Sequence, residues 1–266
     1  MQPIDAHVHI VGNGTRGSGC WLRLSGRHRW LAKFMLRHLG LPQDIAKPDF
    51  DEIYVERLLS LVIGSSLGSA VILAQEQVYD EHGALMTGAG SFYVPNDYVL
   101  TLARQHPEFL PAVSIHPARP DALDELDRCL AGGAVMLKLL PNCHNVDCND
   151  RRYLRFWEKM AAAGLPLLAH TGGENTVPVI RPELADPRRL TLPLECGVTV
   201  IAAHCATRSG LRDPDYFPAF AEMTTRFPNL YGDNSAFTLP MRGEHTRAAV
   251  REPLASPMIG TGKSLP

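Results

Sequence analysis

The chain has 266 residues, of which 45% are hydrophobic and 20% are charged, and its formal net charge at pH 7 is −2. This is the composition of a globular protein with enough apolar residues for a large core. The near-neutral charge and the lack of long basic or acidic runs argue against binding to nucleic acid or to an anionic membrane. The length fits a single α/β barrel, which has about 250 residues.

The sequence also carries signs of its compartment. It contains no signal-peptide pattern at its N-terminus and no run of 18 apolar residues that would span a membrane. Its cysteines are scattered, as is typical of free thiols in a reducing compartment. They are Cys20, Cys129, Cys143, Cys148, Cys196 and Cys205. We therefore expect a cytoplasmic protein without a membrane partner.

The first predicted strand, within residues 3–10, carries a histidine pair. Side chains alternate between the two faces of a strand, so His7 and His9 point the same way. Two neutral imidazoles at this spacing suit zinc or a similar divalent ion. A His-x-His pattern is weak evidence by itself, and its weight depends on where the other histidines fall.

A long helical insertion follows, at about residues 12–67. Apolar residues at helical spacing predict two helices, one around Trp30, Leu31, Phe34, Met35 and Leu39, and one around Ile53, Leu58, Leu59 and Val62. The first helix and its approach are basic, with Arg23, Arg27, Arg29, Lys33 and Arg37. These charges indicate either a solvated helix face or an insertion that lies over the active site and attracts an anionic substrate.

From residue 69 onwards, short apolar runs alternate with helical patterns. The runs are typical of strands buried on both faces and comprise Ser69–Ala74, Leu110–Ile115, Ala134–Leu140, Leu165–His170, Val198–His204, Asn229–Asp233 and Met258–Thr261. The helical patterns are Tyr98–Gln105, Ala122–Leu130, Tyr153–Ala163 and Tyr216–Arg226. With the first strand this gives eight parallel strands. We predict a single (β/α)8 TIM barrel over residues 1–266, without an internal linker or repeat.

Several metal-competent or basic side chains fall at the ends of these strands. They are His7 and His9 on the first strand, Lys138 on the fourth, His170 on the fifth and His204 on the sixth. Barrel active sites lie at the carboxyl ends of the strands. A buried histidine can simply bond to a backbone carbonyl, but this shared placement favours a joint metal site.

This ordered set of motifs resembles the amidohydrolase superfamily, in particular its branch of amidohydrolase-related hydrolases and aminocarboxymuconate-semialdehyde-type decarboxylases. The resemblance implies that His7, His9 and His170 bind a divalent metal, for which we expect Zn²⁺, and that His204 binds a second metal or assists catalysis. It also implies that Lys138 bridges two metals if it is carboxylated. An unmodified lysine is a poor ligand, so substrate binding and a structural ion pair remain alternative roles.

The implied function is hydrolysis of a C–O or C–N bond of a small molecule by a metal-activated water. The alternatives are metal-dependent decarboxylation and metal binding without turnover. Metal binding without turnover is an alternative because the family places an aspartate at the end of strand eight, where this chain has Gly262. We therefore expect a barrel that lacks its last helix, and Asp233 is the nearest carboxylate that could substitute. Nothing in the sequence argues against a homo-oligomer.

Overall fold

The fold is built on one curled sheet of parallel strands. The computed structural model describes residues 2–210, 213–235 and the short strand at 258–259. In the sheet, each strand pairs with the next barrel strand along the chain. In that order they are β1 (Ile4–His9), β3 (Ser69–Leu73), β5 (Phe109–Val113), β6 (Met136–Leu139), β7 (Leu167–His170), β8 (Val200–Ala203), β9 (Leu230–Asp233) and β10 (Met258–Ile259). This confirms the predicted α/β class of TIM-barrel type.

Helices connect these strands and cover the outer face of the sheet. They are α3 (Asn96–Gln105), α4 (Ala122–Ala131), α5 (Pro141–His144), α6 (Leu154–Ala162), α7 (Thr191–Glu195) and α8 (Phe217–Arg226). Apolar side chains on alternate strand positions pack against them, and Leu137 belongs to the same outer core cluster as Trp157 and Leu126. The intervening positions, including Met136 and Leu168, form a separate core inside the curl. Both faces are therefore buried, which explains the continuous apolar runs in the sequence.

The segment after β1 contains the two predicted helices, α1 (Gly26–His38) and α2 (Phe50–Ile63). The second packs into the core through a buried face that includes Tyr54 and Leu58. The first contributes the buried side chain of Leu36 to the same core, whereas Trp30 remains 71% exposed. The segment also forms an unpredicted strand, β2 (Trp21–Leu22), which pairs antiparallel with β4 (Phe92–Tyr93).

The described strand ends differ from the sequence-based predictions by at most two residues. For example, β5 stops at Val113 rather than Ile115, because the backbone N–H of Ser114 bonds to the side chain of Asn96 and leaves the ladder. The predicted position of the missing aspartate, Gly262, and the end of the last strand at Thr261 lie outside the described residues.

Two further features concern the whole chain. The six cysteines are free thiols, as predicted, and five of them are buried. Among the described residues, no helix combines the length and the apolar character needed to cross a lipid bilayer.

Candidate active site

The paired histidines of β1 lie at the carboxyl end of the sheet. His7 and His9 project on the same side, and their Nε2 atoms are 3.3 Å apart. Two nitrogens bound to one tetrahedral zinc at about 2.0–2.1 Å would be about 3.3 Å apart. The spacing of these two imidazoles therefore fits two ligands of a single zinc ion.

Asp233, the last residue of β9, orients one of these rings. The Nδ1 of His7 donates a hydrogen bond of 2.7 Å to Asp233 Oδ2, so the Nε2 facing His9 carries a free lone pair. Burial lowers the pKa of His7, and the positive charge of Lys138 adds to this effect. Burial acts to raise the pKa of Asp233, but the hydrogen bond from His7, together with the electrostatic effects of His7 and His204, outweighs it and holds this pKa below its usual value. The pair is thus a neutral imidazole beside a carboxylate.

His9 lies at the mouth of the site, where part of its surface reaches solvent. Neighbouring protein still desolvates the ring, and this desolvation, followed by the electrostatic effect of the nearby His7, lowers the pKa of His9 well below its usual value. His9 is therefore unprotonated at neutral pH. A neutral imidazole is the form that can bind a metal.

Lys138 on β6 extends into the same cluster. Its Nζ lies 3.3 Å from the Nε2 of His7, and the residue is 1% exposed. Burial lowers the pKa of Lys138 to about 8, although the negative charges of Asp233 and Glu174 oppose this shift. Within the described part of the chain, Lys138 forms no salt bridge, so its amine is held in the cluster without a carboxylate in contact.

The two remaining histidines complete the cluster. His170 is the last residue of β7, and the centre of its ring is 5.2 Å from that of His204. The ring of His204 in turn stacks 5.5 Å from the ring of His7. The structure thus brings all five predicted residues to one end of the sheet, around a common space.

His204 reaches this position through a left-handed turn. The predicted strand Val198–His204 ends earlier, at Ala203, because His204 has a φ of 61°. Cys205 and Ala206 are also left-handed, with φ of 50° and 55°. Each such residue costs about 1–2 kcal/mol relative to the right-handed form. Strain of this kind is typical of functional sites.

Polar contacts compensate for this turn and fix its first residue. The backbone N–H of His204 donates to Asp233 Oδ1 at 2.8 Å. The side chain of Ser235 lies 2.9 Å from the Nδ1 of His204 and 3.2 Å from the Nδ1 of His7. Asp233 and Ser235 therefore position both histidines through their Nδ1 atoms and the backbone N–H of His204.

Reasoning from the sequence identified Asp233 only as a substitute metal ligand and did not identify Ser235 or Glu174. Glu174 is nearly buried, and its Oε2 lies 3.6 Å from the Nε2 of His170. The signal available for it was its position four residues after a strand-end histidine. Asp5 acts locally, since its carboxylate accepts the backbone N–H of His7.

The spacing between His7 and His9 is the feature that fits a metal. Among residues 2–210 and 213–235, no group of three or more His, Cys, Asp or Glu side chains is already arranged at metal-ligand distances. The fit therefore covers two ligand positions, and a third ligand would have to come from a neighbouring residue of the cluster.

Comparison with known proteins shows the family of the chain. A family model described as Amidohydrolase matches residues 4–258. The chain belongs to the amidohydrolase family. A comparison with curated proteins found no match. The assignment therefore rests on the family model and on the fold.

Solved structures of amidohydrolase type share this fold. Matching structures include 4-oxalomesaconate hydratase from Rhodopseudomonas palustris, at 16% identity and a TM-score of 0.54, covering 95% of this chain and 78% of that protein. Another is 5-carboxyvanillate decarboxylase from Sphingomonas paucimobilis, at 13% identity and a TM-score of 0.52, covering 89% and 82%. A third is N-isopropylammelide isopropylaminohydrolase from Burkholderia multivorans, at 14% identity and a TM-score of 0.50, covering 97% and 61%. At these identities the similarity concerns the fold alone.

Proposed function

We propose that this amidohydrolase is a metal-dependent hydrolase that cleaves a C–O or C–N bond of a small molecule. The observation that carries the proposal is the 3.3 Å separation of the Nε2 atoms of His7 and His9. These two residues and His170 would hold a divalent ion, with Zn²⁺ the best match to imidazole ligands. Such an ion, when bound, lowers the pKa of its water from 15.7 to about 7 and polarises a carbonyl oxygen.

The protein's own groups prepare this chemistry. Asp233 fixes the tautomer of His7 and makes its Nε2 more basic, as carboxylates behind metal-binding histidines do. Ser235 and Asp233 hold the ring of His204 at the edge of the cluster. From there His204 can donate a proton to a leaving group or stabilise a developing oxyanion.

Lys138 has three candidate roles. A carboxylated amine would bridge two metal ions, an unmodified amine would bind substrate, and a charged amine would serve as a structural ion pair. Its burial and its lowered pKa favour the first, because the neutral amine is the form that reacts with carbon dioxide. The lack of a salt bridge within the described residues argues against the third.

Decarboxylation is the second candidate, supported by the similarity in fold to a decarboxylase. Metal content should be measured together with turnover of a panel of esters, lactones and amides, and with carbon dioxide release from unsaturated acids. Bound metal with hydrolysis supports the leading proposal, and carbon dioxide release supports the lyase. Bound metal without turnover indicates a binding protein, whereas protein that takes up no divalent metal contradicts all three. A cytoplasmic location remains a prediction.

A further inference from the structure

A cavity of about 490 Å³ lies outside the histidine cluster. Its walls come from the segments that follow β1, β3 and β7, and they include Arg23, His28, Ser91 and Ile180. All three segments leave the sheet at the carboxyl ends of their strands, which is also the side where the histidines lie. The cavity is therefore part of the face that carries the candidate active site.

Two buried polar atoms in this wall lack partners. Ser91 is 3% exposed, and its Oγ forms no hydrogen bond with any described residue. The Nε2 of His28 is likewise buried and unbonded within the described chain. Buried polar groups are normally paired, so two orphans in one cavity wall call for an explanation. A ligand that accepts hydrogen bonds from both would provide it.

Arg23 supplies a positive charge to the same wall. Its guanidinium lies 4.2 Å above the ring of Trp21, a stacking arrangement that orients the group while leaving its N–H donors available. Its backbone N–H donates to the carbonyl of Ser91 at 2.6 Å, which ties the two residues together. Among the described residues, Arg23 has no salt bridge and no Asp or Glu lines the cavity. The charge is thus unopposed at close range.

The other basic residues of this region are placed differently. Arg29 and Lys33 line a separate cavity of about 340 Å³ that also contains Asp44. Arg37 is exposed on α1 and lines neither cavity. Of the basic residues around the first helix whose side chains the structure describes, Arg23 is therefore the one combined with unpaired buried donors.

We propose that this cavity binds a carboxylate of the substrate through Arg23, His28 and Ser91. A guanidinium, an imidazole N–H and a hydroxyl all donate hydrogen bonds, and a planar carboxylate can accept two parallel bonds from arginine. The bound carboxylate is at the end of the substrate that does not react. This inference rests on the proposed function and adds a substrate class to it, small organic acids.

The test measures binding without turnover, so that it can fail independently of the hydrolase proposal. Isothermal titration calorimetry would compare glutarate with its neutral diamide, glutaramide, on the purified protein with and without added zinc. The variants are Arg23→Gln and Ser91→Ala, with the exposed Arg37→Gln as the charge-matched control. Thermal unfolding shows whether each variant is folded. If Arg23→Gln is unstable, Ser91→Ala still tests the site, because it removes only one oxygen atom.

We expect glutarate to bind and glutaramide not to bind. Arg23→Gln should weaken glutarate about 10-fold or more, Ser91→Ala should weaken it about 3-fold, and Arg37→Gln should leave it unchanged. Equal affinity in all variants would overturn the proposal. So would binding that appears only with zinc, which would place the carboxylate on the metal. Tighter, Arg23-dependent binding of inorganic phosphate would overturn the carboxylate assignment.

Discussion

His7 and Asp233 are 226 positions apart in the chain, yet the Nδ1 of one donates a 2.7 Å hydrogen bond to the Oδ2 of the other. His7 stands on β1, at one end of the strand order, and Asp233 ends β9, close to the other end. This bond therefore spans the mouth of the curled sheet. It links the curvature of the fold directly to the orientation of a candidate metal ligand.

Removing the charge of Asp233 should weaken metal binding. Asp233→Asn keeps the shape of the side chain but removes the carboxylate that accepts the Nδ1–H of His7 and so fixes its neutral tautomer. We expect a 10- to 100-fold loss of zinc affinity, the usual effect of losing such a partner. Competition with a chelator of known affinity measures it. The control is Asp127→Asn, a surface residue paired with Lys159. Unaltered zinc affinity in Asp233→Asn would contradict the role we give this carboxylate.

His170→Ala should reduce the zinc content of the purified protein. His170 ends β7 beside the ring of His204 and is the proposed third ligand. Elemental analysis gives the stoichiometry, and His82→Ala is the matched control because the side chain of His82 is 76% exposed. An undiminished zinc content in His170→Ala would count against the ligand assignment.

Lys138→Met should stabilise the metal-free protein. The pKa of Lys138 is about 8 in the folded chain and about 10.5 in the unfolded chain, so a protonated lysine opposes folding at neutral pH. We expect the free energy of unfolding at pH 7 to rise by about 1–3 kcal/mol. Urea titration measures it, with the exposed Lys33→Met as control. A large loss of stability would instead assign Lys138 to a structural ion pair.

His116 should make the stability depend on pH. Its Nδ1 accepts the N–H of Ala118, its Nε2 donates to the carbonyl of His144, and burial lowers its pKa to about 4. Between pH 6.5 and 4 the unfolded chain therefore binds the extra proton, and the free energy of unfolding falls as pH falls.

The slope due to His116 should approach about 1.4 kcal/mol per pH unit. Urea titrations of the metal-free protein at pH 7, 6 and 5 would compare the wild type with His116→Gln and with His82→Gln. We expect a shallower slope only in His116→Gln. Parallel slopes in all three proteins would mean that His116 is protonated in the folded chain.

Gly172 should tolerate no side chain, because it lies against the turn that carries His204. A Cβ there would come within 2.2 Å of the carbonyl oxygen of Thr207, and the φ of Gly172 is +78°. Gly133 has a similar φ of +90° but nothing within 4 Å of such a Cβ. We expect Gly133→Ala to cost about 1 kcal/mol for its backbone alone, and Gly172→Ala clearly more. Chemical denaturation tests this; equal costs would show that the turn moves freely.

The sequence alone determined the fold class and most of the candidate site. Strands buried on both faces must be apolar throughout, so the runs from β3 to β9 were visible without coordinates. Parallel strands also end on one side, so strand-end residues such as His7, Lys138 and His170 had to share a face. The family resemblance depended on the same residues.

The tertiary structure decided how the side chains meet across the sheet. Sequence patterns report local periodicity, whereas the contacts of Asp233 and Ser235 with His7 depend on curvature summed over all the strands. The left-handed turn at His204 likewise depends on hydrogen bonds from distant residues rather than on local preference. The hydroxyl of Ser91 and its neighbour Arg23 came together only because β2 pairs with β4, a contact that no sequence period encodes.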